Sequence, residues 1–525
     1  MRRVIFFALM CLIILSSTVN AQGKKILYVP IDSRPCNLFQ VVQVAEKLGY
    51  EILTPPEEFL GTRENRGDAE ALWQWLDETA PQADCAVLST DSLIYGSLVA
   101  SRVHNLDAET ILERAQRFKA FHEKFHGLPI YAFGTIMRTP RSSSASSIEP
   151  EYYKEYGAKI FQYTALIDKQ EMNQLTNKDR RALKKLTKEI PQEYLDDWFK
   201  RRAKNSDANE LFITYAREGI FQYFLLGCDD SAMYSQTHRE SRRLTELSSD
   251  LGKTVVQVTS GADELGMLMI ARAINYDRVF TPFVSVTYNE GVGAKTFPSY
   301  ANEPIDVSIE AAIVAVGGMR IPAPERADLV LVVNTRSNGK TFEAASKKNN
   351  GKLRRDLKKF MEPVRNFLAQ GYPVAIADIS FSNGSDNALM KLLEREDLQY
   401  RLRAYGGWST ATNSGGFLIG SGVLSKFMNA KDVGELLITR YLDDWLYQSM
   451  VRQEIAGASY GIAGEGTPLN LQDKLLPLER LLNEKMDAFV AQHLILPRNR
   501  RLEDLTSRLP WQRTFECDSR FKLVD

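Results

Sequence analysis

The chain has 525 residues, with 66 basic and 66 acidic side chains, 44% hydrophobic residues and no long block of like charge. That is the composition of a large folded protein, and it points to neither nucleic acid nor an anionic membrane surface as partner. Five cysteines, one of them in the N-terminal leader, are too few and too scattered for a disulfide scaffold, and no CxxC pair or Cys/His cluster suggests structural zinc.

In chain order, Arg2 and Arg3 precede an apolar run from Val4 to Leu15, then small and polar residues ending in Val19-Asn20-Ala21. This is the pattern of a secretory signal peptide over residues 1–21, and the run is too short for the roughly 20 apolar residues of a membrane span. The expectation is a periplasmic or secreted protein with no stable membrane insertion after cleavage, slightly acidic once Arg2 and Arg3 are gone. Short apolar runs ending in polar residues then alternate with helical segments. The strands expected are Lys25 to Asp32, Asp84 to Asp91, Pro129 to Met137, Gln222 to Asp230, Thr254 to Asp263, Ala327 to Thr335, Pro373 to Ser380 and Leu402 to Thr410. Eight strands are what a (β/α)8 barrel of the TIM type needs; further strands at Glu51 to Leu53 and Val279 to Thr287 would favour a doubly wound open sheet. The barrel-like domain is placed at 22–420, with a helical insertion at about 151–219 and a C-terminal helical cap at 421–525. Neither addition carries an internal repeat, and residues 138–149 (RTPRSSSASSIE) suggest a flexible loop.

The acids fall at strand ends, where parallel α/β folds bind ligands: Asp32, Asp91, Asp229 with Asp230, Asp263 with Glu264, and Asp378. Any one of them is explained by helix capping, and Glu264 suits the first turn of a helix. Their recurrence suggests an acidic pocket. Asp229 and Asp230 are the leading chemical pair, because two close carboxylates cannot both ionise freely and one acid beside one carboxylate is what glycoside cleavage uses; Asp263 and Glu264 stand in reserve. Rings and amides at the same rim would suit a sugar, with Tyr405, Trp408 and Asn413 foremost, then Tyr95, Asn383 and Tyr234. Arg34 and Arg138 lie just past strand ends, placed to pair with the acids or to hold an anionic group.

Several motifs fail on context. Gly457-Ala458-Ser459-Tyr460-Gly461 has the nucleophile-elbow spelling but follows a helical pattern, and Gly291-Val292-Gly293 lacks the rest of a dinucleotide or phosphate loop. His122 and His126 have ligand spacing on an otherwise polar helix, and His238 is the sole histidine near an acid pair. No cofactor is expected, and no resident metal, although an all-oxygen Mg or Ca site built from the acids is a third alternative.

The acid pair in LLGCDDSAMY is similar to the consecutive acids at the end of the fourth barrel strand of substrate-assisted N-acetylhexosaminidases. That resemblance implies that Asp229 orients an acetamido group and Asp230 protonates the leaving oxygen. The segments VPIDSRPCN, LSTDSLIYGSLVASR, GCDDSA, SGADELGMLMIARAIN, GGWSTATNSGG and LPWQRTFE together resemble the bacterial family catalogued as domain of unknown function 4127 (DUF4127), over nearly all of the mature chain. The resemblance implies no catalytic residues; Ser409 stands where the family's GWN-type motif has Asn. Two function classes follow: an exported glycoside hydrolase acting on a small or amino-sugar-containing glycan, or a non-catalytic carbohydrate-binding protein on the same scaffold. Metal-assisted hydrolysis by the acid cluster is the third.

Overall fold

The computed structural model describes residues 23–143, 148–494, 496 and 500–524; the expected signal peptide at 1–21 lies outside them. The first half of the chain builds a six-stranded parallel sheet from β1 (Lys25–Val29), β2 (Glu51–Leu53), β3 (Cys85–Ser89), β4 (Ile130–Ile136), β5 (Tyr223–Cys228) and β6 (Val256–Ser260), in the order β2-β1-β3-β4-β5-β6. These strands are near-continuous apolar runs because both faces are covered. Ile26 and Tyr28 of β1 face a core shared with the helices Phe39–Glu46 and Leu265–Asp277, whereas Leu27 and Val29 face one shared with Ala69–Thr79, Ala108–Lys124 and Gln192–Arg217.

A second parallel sheet follows: β7 (Phe283–Tyr288), β8 (Met319–Arg320), β9 (Leu329–Asn334), β11 (Val374–Asp378) and β13 (Ala404–Gly406), in the order β13-β11-β9-β7-β8. A small pair, β10 (Phe342–Glu343) with β12 (Phe381–Ser382), sits beside it. Counted from β8, the second sheet runs β8-β7-β9-β11-β13, which repeats the β2-β1-β3-β4-β5 order of the first. Each half thus reverses direction beside its first strand, the switch point at which open α/β sheets place ligands. The fold is α/β with two open parallel sheets, consistent with doubly wound winding. The expected closed barrel does not form among the described residues: all eight strands named from sequence are present, but five belong to one sheet and three to the other. The two strands that argued for an open sheet, at Glu51 and in Val279 to Thr287, are both real.

The sheets are locked together by the helices Leu265–Asp277 and Ala411–Leu424, where a Cβ added at Gly416 would stand 2.5 Å from Glu264 and one at Gly420 2.9 Å from Met267. Residues 153–217 form three helices, Tyr153–Glu171, Asn177–Glu189 and Gln192–Arg217. The first two share a satellite core with the start of the third, centred on Tyr153, Ile160 and Trp198. The far half of the third lies on the first sheet through Phe212 and Ile213. After helices that include Ala430–Arg440 and Leu475–His493, the chain ends in an antiparallel hairpin, β14 (Arg501–Arg508) with β15 (Asp518–Val524). Among the described residues no helix is long and apolar enough to cross a membrane.

Candidate active site

A cavity of 290 Å³ opens between the carboxyl ends of the two sheets. Arg34 (after β1), Arg138 (after β4), Asp229 and Asp230 (after β5) and Asp263 (after β6) line it from the first sheet. Asn383 (after β12) with Ser409, Thr410 and Asn413 (after β13) line it from the second. Arg102, in the helix Leu98–Val103, Tyr300, and Trp511, Arg513 and Phe515, in the hairpin turn, also line it. Its size is close to the lower end of the ~300–1,000 Å³ typical of small-molecule sites.

The pocket is not the acidic one expected, because each lining aspartate pairs with an arginine. Arg102 donates from Nε (2.9 Å) and Nη2 (2.5 Å) to Oδ2 of Asp229. Arg138 donates from Nη1 to Asp230 (3.1 Å) and from Nε to Glu149 (2.6 Å). Arg34 donates to Asp263 (2.6 Å) and to Asp32 (2.7 Å). Arg513, the fourth lining guanidinium, donates from Nε to Glu516 (2.6 Å). An unpaired buried charge costs several kcal/mol, so these pairs let charged groups cluster here.

Within that frame the two adjacent aspartates differ. Asp229 is 5% exposed and clamped, whereas Asp230 turns through a left-handed φ of +24° and keeps 33% of its side-chain surface open. The desolvating cavity wall, followed by the Asp229 carboxylate, pushes Asp230 up to about 6. Burial also raises Asp263, against the pull of Arg34.

The other acids are spread more widely than their strand ends suggest. Asp32 is fully buried and serves as the brace of Arg34, also accepting from Asn37 at 2.8 Å. Asp91 is in the helix Thr90–Tyr95, not on its strand; it accepts from the amide (2.8 Å) and hydroxyl (3.1 Å) of Thr135 and is raised by burial to about 7. Glu264 is 3% exposed, packs behind Gly261 and Gly416, and is pushed by burial to about 8, with Oε2 unpartnered. It is a core acid at the head of its helix, outside the cavity. Asp378 belongs to a separate cluster in the second sheet, accepting from Asn334 (2.9 Å) and Tyr405 (2.7 Å), and burial followed by Asp386 raises it to about 7. Tyr95 stacks on His104, and Trp408 is 6% exposed against Phe515; both lie outside the lining. The sequence resemblance rested on a fourth strand, but the strand before Asp229 is the fifth of the chain.

Arg102, Trp511, Arg513 and Phe515 were missed. Arg102 hides in an apolar helix with no spacing to mark it, and the hairpin residues meet the cavity across most of the chain, as in the bond from Trp511 Nε1 to Ser33 Oγ (3.0 Å). Their one signal is the LPWQRTFE segment. Among the described residues, no group of three or more His, Cys, Asp or Glu is placed to hold a metal ion. A family model described as protein of unknown function (DUF4127) matches residues 26–520, and the chain belongs to that family. No curated protein matches it.

Proposed function

We propose that this protein is an exported carbohydrate-active hydrolase, periplasmic or secreted, that cleaves a glycosidic bond in the cavity beyond β5. The observation carrying this reading is the unequal treatment of neighbouring carboxyls: Asp229 is clamped by two nitrogens of Arg102, while Asp230, open to the cavity, is pushed by its surroundings up to about 6. Such a split lets Asp230 keep its proton below about pH 6 while its clamped neighbour takes the other role that glycoside cleavage needs. Asp230 donates its proton to the leaving oxygen, and Arg138, 3.1 Å away, stabilises the carboxylate that results. Water attacks the anomeric carbon as the bond to the leaving oxygen breaks, and it passes its proton to Asp229, whose Oδ2 is held by Arg102 beside the reacting centre. Because each lining guanidinium already holds a carboxylate, a neutral polyhydroxylated ring suits the site better than an anionic one.

The reading is tested with aryl N-acetylhexosaminides and other aryl glycosides: turnover by the wild type that Asp230→Asn abolishes, with the fold intact, supports it. The Arg138–Asp230 pair favours a second reading, a non-catalytic carbohydrate-binding protein in which both aspartates only accept bonds from hydroxyls. That predicts affinity without turnover and little loss in Asp230→Asn.

A further inference from the structure

The two walls of the cavity differ in what they leave free. On the first sheet the charged groups are consumed by one another. On the second, the lining side chains are neutral, and their existing bonds fix which atoms are left over. Asn413 is spent: its Oδ1 accepts from the amide of Ala262 (3.1 Å), and its Nδ2 donates to Asp263 (3.1 Å) and to Ser409 Oγ (3.3 Å). Thr410 Oγ1 caps the helix Ala411–Leu424. Ser409 Oγ accepts from Asn413, so its own proton is the part available to a ligand. Asn383 donates from Nδ2 to Glu343 Oε2 (2.9 Å), which turns its carbonyl oxygen the other way. Glu343 is itself held by the Tyr300 hydroxyl at 2.9 Å. Asn383 has a left-handed φ of +60°, a conformation asparagine tolerates, and its amide donates to the Ser409 carbonyl at 2.6 Å. An oriented acceptor and a donor therefore stand side by side on the wall facing Asp230.

We propose that Asn383 and Ser409 are specificity-determining residues that read an amide substituent, so that the cavity selects an acetamido sugar over its parent sugar; that the ligand is a sugar rests on the reading above. The substituent's N–H donates to Asn383 Oδ1, and its carbonyl accepts from the Ser409 hydroxyl. A parent sugar offers one hydroxyl where the amide offers two separated groups, and it leaves one of the pair unmatched.

Isothermal titration calorimetry of the whole protein with N-acetylglucosamine, N-acetylgalactosamine, glucose and galactose tests this, alongside turnover of the matching aryl glycosides. The wild type is expected to prefer at least one acetamido sugar by about tenfold or more, and Asn383→Gly and Ser409→Ala are each expected to remove most of that preference by weakening the acetamido sugar much more than the parent sugar. In turnover the loss falls on KM for the acetamido substrate, and the pH profile is unmoved. Equal affinity for both classes, binding of neither, or a preference that survives both substitutions overturns the proposal. Selective binding that the variants abolish, without turnover, leaves this inference standing and sinks the hydrolytic reading. If Asn383→Gly lowers the melting temperature, Ser409→Ala, which deletes a single hydroxyl, decides the matter.

Discussion

Replacing Glu264 by glutamine should make the protein more stable at neutral pH and should flatten its stability profile. The carboxyl is 3% exposed, and burial pushes it from an ordinary 4.5 up to about 8. Below pH 4.5 the group is protonated in both folded and unfolded chains, and its contribution to stability is fully present. Between 4.5 and 8 only the folded chain holds the proton, so rising pH favours unfolding by about 1.4 kcal/mol per pH unit. Above 8 the contribution is gone, a loss on the order of 5 kcal/mol. Glutamine has nearly the same shape and no proton to lose, and its amide nitrogen would occupy the place of Oε2, which has no partner to forfeit. Urea unfolding of wild type and Glu264→Gln from pH 4.5 to 8.5 should give curves that nearly meet in acid and diverge steadily above it. Parallel curves would show that burial does not hold the proton on Glu264. Because Glu264 lies outside the cavity, the variant should keep whatever turnover the wild type has.

Arg102→Met removes both bonds to Asp229 and leaves a carboxylate that is 5% exposed without its partner; a loss of about 3–5 kcal/mol is expected in the unfolding midpoint, and an unchanged midpoint would contradict the clamp. At Gly261, with φ +105°, an added Cβ would meet Glu264 Oε1 at 1.9 Å, so Gly261→Ala should cost about 2–3 kcal/mol by the same measurement. Wild-type stability in that variant would mean the loop has room the structure denies it.

The strands were legible because parallel strands covered on both faces are unbroken apolar runs, as in Tyr223–Cys228. Their closure was not: whether β6 continues to β7 in one sheet or a new sheet begins depends on contacts across hundreds of residues, and β8, only two residues long, leaves no pattern to read. The repetition of strand order between the halves is likewise invisible in the residues. Asp229, Asp230 and Asp263 were found because strand ends collect ligand-facing groups. Asp378 follows the same rule in the wrong sheet, where it bonds Asn334 and Tyr405. The arginines changed the site most. A strand-end acid announces itself, and so do Arg34 and Arg138 just past strand ends, the partners of Asp263 and Asp230, whereas Arg102, the partner of Asp229, comes from a helix with nothing to mark it.

On the proposed reading, Asp230, pushed up to about 6, is the proton donor beside Asp229, which Arg102 fixes. The dependence of kcat/KM on pH, measured with aryl N-acetylhexosaminides on the wild type and on Asp230→Asn, tests it most directly. A donor must carry its proton, so the wild-type value should fall tenfold per pH unit above about 6, and Asp230→Asn, folded as the wild type, should show no turnover. Absence of wild-type turnover on any aryl glycoside, or an Asp230→Asn profile matching the wild type, would rule out Asp230 as the proton donor.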